Sequence, residues 1–498
     1  MSIARKLVGQ TAAYGLSSIV GRVLNYLLVP VYTLVFAREE YGIVSYLYSL
    51  TAFFNVLFTY GMETAFFRFA NKEGADKQAL YNKTLTAIIL TSVLFTGILI
   101  LLSGPIAAYV GLRGKEEYII WLAIILAIDA IVAIPFAKLR LENKAIKFAS
   151  IKLVSIILTI GGNMFFLVLC RDIYLGKYLI SLQPVVAAIY DPEFGIGYIF
   201  LINLIANALI IPMLWRELAA FRFRLDLEQL KPMLVYAYPL LLMGIAGVTN
   251  EVIDRILLER LLPENFYPNT SKFAAVGVYS ACYKLAIFMT LAIQAFRYAA
   301  EPFFFSQAQD KNSPQTFALV MKWFVIVCAA IFLFISVNLE IFGLFLRKPE
   351  YREGLMVVPV LLMANLFLGI YYNLSIWFKL SDKTKFGTYI TFGGAAITII
   401  FNVLLIPVMG YMGSAIATLI CYFSMALACY LLGNRYYPIP YPVGNMLSYI
   451  LIALALVLVS LNVSIDNLWL RHGFDLALCA VFAGIIWVRE KPMLFSRI

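Results

Sequence analysis

The sequence predicts an all-α integral membrane protein of about fourteen transmembrane helices, and three observations predict it. The first is composition: of 498 residues, 62% are hydrophobic and 13% charged, with a mean hydropathy of +0.87. A soluble chain of this length could not cover so much apolar surface with so few charges. The second is that apolar stretches of about 20 residues, enough to cross about 30 Å of hydrocarbon, recur along the chain. The third is that the connections between them are short and polar.

These stretches define the helices in chain order. The first follows Arg5 and Lys6, but it is longer than the apolar region of about 7–15 residues in a signal peptide, so we expect a retained helix. Prolines such as Pro30 and Pro135 lie within or at the ends of several stretches, where they permit kinks. The predicted spans are 10–36, 43–67, 84–109, 118–137, 149–170, 195–215, 233–258, 274–299, 316–346, 355–378, 387–407, 411–433, 444–462 and 471–488.

Lys and Arg are distributed unevenly between alternate connections. The N-terminus, the even-numbered connections and the C-terminal tail together carry roughly twice as many as the odd-numbered connections. Cytoplasmic loops hold the excess of basic residues, so we expect both termini in the cytoplasm, and the formal net charge of +11 is mostly a topology signal. The basic residues left over lie within or at the ends of predicted spans: Arg22, Lys152, Arg255, Lys284, Arg297 and Lys322.

The chain resembles two related halves. Segments 41–50 and 276–285 share Gly, Ser, Tyr and Leu in register, and each opens the second helix of a six-helix unit. Parallel repeats of this kind predict two lobes around a central pathway, related by a pseudo-two-fold axis along the membrane normal. The predicted divisions are an N-lobe over 1–220, a C-lobe over 221–436 and a helix pair over 437–498.

The number and spacing of cysteine and histidine residues argue against a metal site and a cofactor. The six cysteines lie in or at the ends of spans without a C-x-x-C pair, so we interpret them as small core residues. His472 is the only histidine and leaves no multi-histidine metal site. We therefore expect no metal and no cofactor. No basic face or groove is visible, so we expect no nucleic-acid partner.

Charges within or near the spans are the candidate site residues. Arg22 lies in the middle of the first span, where an arginine facing lipid would cost several kcal/mol. Lys284 and Arg297 lie in the eighth span. Cations from both lobes around one cavity would suit an anionic ligand, particularly a phosphate. The alternative is that these side chains pair with acids or extend to the membrane interface.

Four acids form a second candidate group. An intramembrane carboxylate can carry a coupling proton or Na⁺, as in many pumps. Structural pairing is an equal alternative, because Glu251 and Arg255 are spaced i,i+4 and Glu63 lies close to Arg68. The acids are Glu63, Asp129, Glu251 and Asp254.

Four segments resemble one family. Asp254–Leu258 followed by Val276–Leu285 is similar to the signature joining spans seven and eight in polysaccharide-transporter flippases, which belong to the multidrug/oligosaccharidyl-lipid/polysaccharide exporter superfamily. Segments 15–22 and 60–69 resemble the first two helices of that family, and 406–415 resembles its junction between spans eleven and twelve. The segments keep the family order and extend over most of the chain.

The resemblance implies a fourteen-helix, two-lobed flippase in the bacterial inner membrane. Its substrate would be undecaprenyl-diphosphate-linked oligosaccharide, a repeat unit of O-antigen, capsule or exopolysaccharide, carried from the inner to the outer leaflet. Its partners would be membrane lipids and the polysaccharide polymerase and glycosyltransferases of the same pathway. A cationic cavity would replace the water around the diphosphate while the polyprenyl tail stays in lipid.

The sequence also bears on two other classes of function and on one other kind of flippase. A drug/cation antiporter has the same architecture but usually twelve spans and a cavity suited to cations. A membrane glycosyltransferase or ligase would need a catalytic site on a large loop, and the longest connection between spans, 171–194, has only about two dozen residues. We therefore expect that the protein is not an enzyme. A flippase for the peptidoglycan precursor lipid II stays open as an alternative.

Overall fold

The computed structural model describes residues 21, 23–24, 26–307, 310 and 312–495. All secondary structure within these ranges is helical. The chain divides into two compact units: unit 1 ends at Val252 and unit 2 begins at Ile253. This division lies within one long helix, Leu227–Leu261. The prediction of an all-α membrane protein is confirmed, since eleven helices of the described ranges are long and apolar enough to cross a membrane.

Unit 1 contains the first helices of the chain. The predicted first span, 10–36, lies largely outside the described residues, which include only its last part as α1. A π-helical turn, Phe165–Cys170, continues α7. The helices are α1 (Leu28–Val35), α2 (Arg38–Thr59), α3 (Met62–Ala70), α4 (Lys77–Leu101), α5 (Ser103–Tyr109), α6 (Glu116–Leu141), α7 (Ala145–Met164), α8 (Arg171–Tyr174), α9 (Gln183–Ala187), α10 (Gly197–Ala208), α11 (Ile210–Met213), α12 (Trp215–Ala219) and α13 (Leu227–Leu261).

Unit 2 begins within α13 and ends with two helices that pack on α16. Within the unit, α21 packs against both α18 and α20. The helices that follow α13 are α14 (Lys272–Leu285), α15 (Ile287–Gln307), α16 (Ser313–Val337), α17 (Leu339–Gly343), α18 (Val357–Leu374), α19 (Ile376–Leu380), α20 (Lys385–Met409), α21 (Tyr411–Tyr436), α22 (Val443–Asn462) and α23 (Leu468–Phe495).

A left-handed turn interrupts the second predicted span, 43–67. Tyr60 and Gly61 have φ angles of 31° and 75°, and they separate α2 from α3. Gly61 also lies against Leu240, whose Cβ would be 2.9 Å from a Cβ at this position. A side chain here would clash and strain the backbone, so the break requires glycine. Hydropathy alone did not reveal the break because apolar residues lie on both sides of it.

The eighth predicted span is also broken. Helices α14 and α15 replace the single stretch 274–299, and they meet at an angle of 46° around Ala286. The Oγ of Ser271 accepts a hydrogen bond from Ala274 N at 3.1 Å, which caps α14 two residues before the predicted start. The pair counts as one candidate span by length and composition.

An extended segment between α12 and α13, residues 220–226, lies along α4; we call it the strap. Gln78 Nε2 donates to Ala220 O at 2.8 Å, and the strap's backbone donates to side chains of α4 at two further points. Four helical residues advance about 6 Å and two extended residues about 6.6 Å, so side chains spaced i,i+4 can follow alternate residues of the strap. The two further bonds are Arg222 N to Asn82 Oδ1 and Arg224 N to Thr86 Oγ1, both 3.1 Å.

An ion pair attaches the C-terminal end of the strap to α4. Lys83 Nζ lies 2.8 Å from Asp226 Oδ2 and also donates to Gln229 Oε1. The hydrogen bond from Lys83 holds the pKa of Asp226 below its usual value. The ion pair therefore contributes at neutral pH, and its contribution is lost as the pH falls through this lowered pKa.

The strap gives a first prediction. Replacing Asn82, which is buried, with alanine leaves the Arg222 N–H without its acceptor, at a cost of about 1–3 kcal/mol. We expect the strap to open more often and trypsin to cleave after the exposed Arg222 or Arg224 about 5- to 150-fold faster in purified protein. Asn71→Ala, at an exposed asparagine outside the strap, should leave the cleavage rate unchanged. An unchanged rate in Asn82→Ala would show that this bond does not hold the strap.

Candidate functional site

Glu63 lies in the first turn of α3 and forms an ion pair with Arg140 of α6. Both side chains are partly exposed. The Arg140 guanidinium also lies 5.8 Å from the ring centroid of Phe67 and 5.9 Å from that of Phe148. The structure therefore places Glu63 in a paired position, with Arg140 held between carboxylate and aromatic rings.

Asp129 lies in the middle of α6, and Lys152 lies on α7, which packs against α6. Both side chains are half-buried. Lys152 Nζ lies 4.5 Å from the ring centroid of Phe136. On α2, the hydroxyl of Tyr48 accepts a hydrogen bond from Asn203 Nδ2 of α10.

Asp254 is buried in unit 2, and both of its carboxylate oxygens accept hydrogen bonds. Its Oδ2 accepts a hydrogen bond from Tyr279 OH at 2.6 Å, and its Oδ1 accepts from Arg255 N at 2.8 Å and lies 3.3 Å from Arg255 Nη1. The Arg255 guanidinium lies 4.3 Å from the ring centroid of Tyr283. Both parts of the sequence signature therefore meet in one cluster, which satisfies two charges inside an apolar bundle.

The predicted cations of the eighth span lie on different helices. Lys284 is exposed in the last turn of α14, next to the bend. Arg297 is exposed on α15, with its guanidinium 4.0 Å from the ring centroid of Tyr372 of α18. No carboxylate of the described ranges forms an ion pair with Arg297. A guanidinium that stacks on one aromatic ring and has no carboxylate partner can still bind an anion.

The structure says less about two of the predicted site residues. Arg22 lies outside the described residues. Glu251 is exposed on α13 and belongs to unit 1, so the unit boundary separates it from Asp254. Among the residues that the structure describes, no group of three or more His, Cys, Asp or Glu could hold a metal ion.

A further buried ion pair joins α16 to the C-terminal helices. Lys322 Nζ lies 2.5 Å from Glu490 Oε2, with side chains 5% and 6% exposed. Tyr449 OH donates to Glu490 Oε1 at 2.9 Å. The sequence placed Lys322 in a span but gave no sign of its partner, because the last span was predicted to end at residue 488 and Glu490 was assigned to the polar tail.

Lys152 is the functional candidate that the sequence did not single out. Its position within span 149–170 was the available signal, since a lysine inside a span is as costly as an arginine. In the structure its Nζ stacks on the ring of Phe136, and it forms no ion pair with a carboxylate of the described residues.

Comparison with known proteins identifies relatives. A sequence model of a family described as "Polysaccharide biosynthesis protein" matches residues 7–309. No curated protein sequence matches the chain. Among solved structures, a lipid II flippase, MurJ in an inward closed conformation, superposes with a TM-score of 0.68 at 14% identity, covering 95% of this chain and 98% of that one.

Multidrug transporters have the same fold. An inward-facing multidrug resistance MATE family transporter of the MOP superfamily superposes with a TM-score of 0.63 at 13% identity, covering 83% of this chain and 93% of that one. A eukaryotic MATE transporter, AtDTX14, has a TM-score of 0.53 at 15% identity, covering 90% and 97%. At these identities the similarity establishes the fold, a multi-pass bundle like those of MurJ and the MATE transporters.

Proposed function

The chain belongs to the polysaccharide biosynthesis protein family, and from that premise we propose that it is a flippase for lipid-linked oligosaccharide. It would carry an undecaprenyl-diphosphate-linked repeat unit of O-antigen, capsule or exopolysaccharide from the inner to the outer leaflet of the bacterial inner membrane. The observation that carries the proposal is the family match over residues 7–309. The partners would be membrane lipids and the pathway's polymerase and glycosyltransferases.

The proposed topology has fourteen spans with both termini in the cytoplasm. Eleven single helices and the bent pair α14–α15 supply up to twelve. The short apolar helix Gly197–Met213 stands where the sixth span is predicted, and 10–36 remains the predicted first span. The charge bias of the connections supports this orientation.

The mechanism we propose is alternating access through a cationic cavity. Sugar hydroxyls and a diphosphate cannot cross hydrocarbon unaided, whereas a polyprenyl tail can stay in lipid. Arg297 supports the proposal because it has no ion-pair partner among the described residues; Arg22 and Lys284 are the other proposed ligands of the head group. With the inside negative, the membrane potential favours outward movement of an anion by about 2.3 kcal/mol per charge per 100 mV.

Transport in proteoliposomes tests the proposal. We expect the native protein to make the head group of a fluorescent polyprenyl-diphosphate oligosaccharide accessible to an external enzyme. Arg22→Ala/Arg297→Ala should slow this at least about tenfold, since each charge-assisted contact contributes about 1.5–3 kcal/mol. Arg113→Ala/Lys385→Ala, at an exposed loop position and at the exposed first residue of α20, removes the same charge and should leave the rate unchanged.

The outcomes separate the candidates. If flipping survives in the Arg22/Arg297 variant, the function stands and those arginines are structural. A lipid II flippase is the second candidate, because the superposition with MurJ covers 95% of this chain and lipid II carries the same diphosphate. Flipping of lipid II alone would favour it. No flipping of any glycan, together with exchange of organic cations for ions, would contradict both and favour an antiporter.

A further inference from the structure

The connection between α7 and α10, residues 171–194, carries large apolar side chains that the rest of the described chain leaves exposed. Six of them lie between residues 175 and 189 and are 45% to 63% exposed. Single exposed side chains of this kind are ordinary, but so many in one short segment rarely face water. We call the six the apolar surface: Leu175, Leu179, Ile180, Leu182, Val185 and Ile189.

Charges are confined to the two ends of this connection. Lys177 is the only charged residue between Asp172 and Asp191, and its Nζ lies 2.8 Å from Asp172 Oδ1. Tyr174 and Tyr178 are exposed beside the apolar surface, and tyrosine is enriched where proteins meet the membrane interface. The segment therefore has the composition of an interfacial segment and not that of a hydrated loop.

The connection is packed against the bundle in a defined shape. Ile173, Val186 and Tyr190 are buried, although their neighbours in sequence are exposed. The ring of Tyr190 stacks on that of Tyr198 of α10, with 5.4 Å between the ring centroids. Asp191 N donates a hydrogen bond to the hydroxyl of the same Tyr198 at 2.7 Å. The apolar surface thus belongs to a folded segment, which keeps its side chains exposed in place.

Both ends of the connection lie next to membrane helices. The candidate span that begins at Ala145 continues through the π-helical turn and α8 to Tyr174, and the apolar helix after the connection begins at Gly197. Between these two helices, each helical piece has only three to five residues, far too few to cross hydrocarbon. A short segment with both ends at the membrane boundary stays close to the interface.

The apolar surface is continuous with the lipid-facing side of the span before it. Few residues of that span are buried inside the bundle. Phe165 and Leu169, on the π-helical turn that leads into the connection, are 41% and 37% exposed. Apolar side chains exposed on a spanning helix contact acyl chains. Lipid is therefore already the neighbour of the chain where the apolar surface begins.

We propose that residues 174–189 lie in the membrane interface, with the apolar surface against the acyl chains of phospholipids. In the topology proposed above this is the outer side of the membrane. A segment of this kind inserts about 5–10 Å below the head groups and fixes the depth of the helices that it joins. The inference goes beyond the transport function, because it holds whatever substrate the protein carries.

Nitroxide labels on the full-length protein in lipid nanodiscs test the inference. The labels are attached at Ile180→Cys and Val185→Cys, in a protein whose partly exposed Cys479 is serine; the other five cysteines are buried. Oxygen reaches labels in lipid, whereas a water-soluble nickel chelate reaches labels in water. We expect both labels to be more accessible to oxygen than to nickel, at a depth of about 5–10 Å.

Two reference positions calibrate the labels. Leu451→Cys, exposed in the middle of α22, should report lipid, and Glu193→Cys, exposed at the charged end of the same connection, should report water. Thermal unfolding like that of the native protein shows that a labelled variant is folded. Ile189→Cys repeats the measurement if either substitution prevents folding.

Two results would overturn the inference. Nickel accessibility at residues 180 and 185 equal to that at Glu193 would place the segment in water. Low accessibility to both oxygen and nickel would mean that protein covers the apolar surface, either a second copy of this chain or another protein. Oxygen accessibility like that of Leu451→Cys at both positions supports insertion into lipid.

Discussion

Replacing Glu490 with alanine is expected to destabilise the protein by about 3–5 kcal/mol. The change leaves Lys322, whose side chain is 5% exposed, as a buried charge without its carboxylate, and it removes the acceptor of the Tyr449 hydroxyl. The same carboxylate joins α16, α22 and α23. The C-terminal helix pair should therefore loosen from α16 before the rest of unit 2 unfolds.

Thermal unfolding in detergent checks this prediction. The control for the charge alone is Lys491→Ala, at the neighbouring exposed position, which should stay within about 0.5 kcal/mol of the native protein. The double variant Lys322→Met/Glu490→Leu should recover most of the loss, because apolar side chains of similar volume can replace a buried ion pair at little cost. A melting temperature of Glu490→Ala equal to that of the native protein would contradict the buried pair.

Asp254→Ala is expected to cost a similar amount, about 3–5 kcal/mol. Asp254 and Arg255 are 3% and 9% exposed, so removing the carboxylate leaves a buried guanidinium and an unpaired Tyr279 hydroxyl. Tyr279→Phe removes only the hydroxyl and should cost about 1–3 kcal/mol. Thermal unfolding should therefore rank the variants with Asp254→Ala below Tyr279→Phe.

Variants of Asp254 can also distinguish a structural role of this residue from a role in ion coupling. Glu264→Ala, in an exposed loop of unit 2, is the matched acid control and should leave stability unchanged. Asp254→Asn keeps an acceptor for Tyr279 and should retain more stability than alanine. If Asp254→Asn unfolds like the native protein but no longer transports, Asp254 acts in coupling. If stability and transport fall together, its role is structural.

The membrane-spanning character of most of the apolar stretches could be predicted because hydropathy is a local property. A helix that crosses hydrocarbon needs about 20 apolar residues whatever it packs against. The breaks at Gly61 and Ala286 escaped prediction, since they depend on backbone conformation and close neighbours such as Leu240. Hydropathy is the same on both sides of such a break.

Charges inside the spans were visible in the sequence, but their partners were not. Arg255 meets Asp254, its neighbour in sequence, and both contact α14. Lys322 and Glu490 form an ion pair although they lie 168 positions apart. Residues so far apart in the sequence show no periodicity that would link them.

The sequence by itself determined the membrane character, the helical class, the resemblance to the polysaccharide transporters and the cost of each charge within a span. It could do so because apolar length and residue type act independently of the rest of the chain. Only the tertiary structure decided which charges are engaged in ion pairs, as Glu63, Asp254 and Glu490 are, and which have no ion-pair partner among the described residues, as Arg297 does. Packing makes that choice, because within an apolar bundle the neighbouring helices supply most of the groups that a charge can contact.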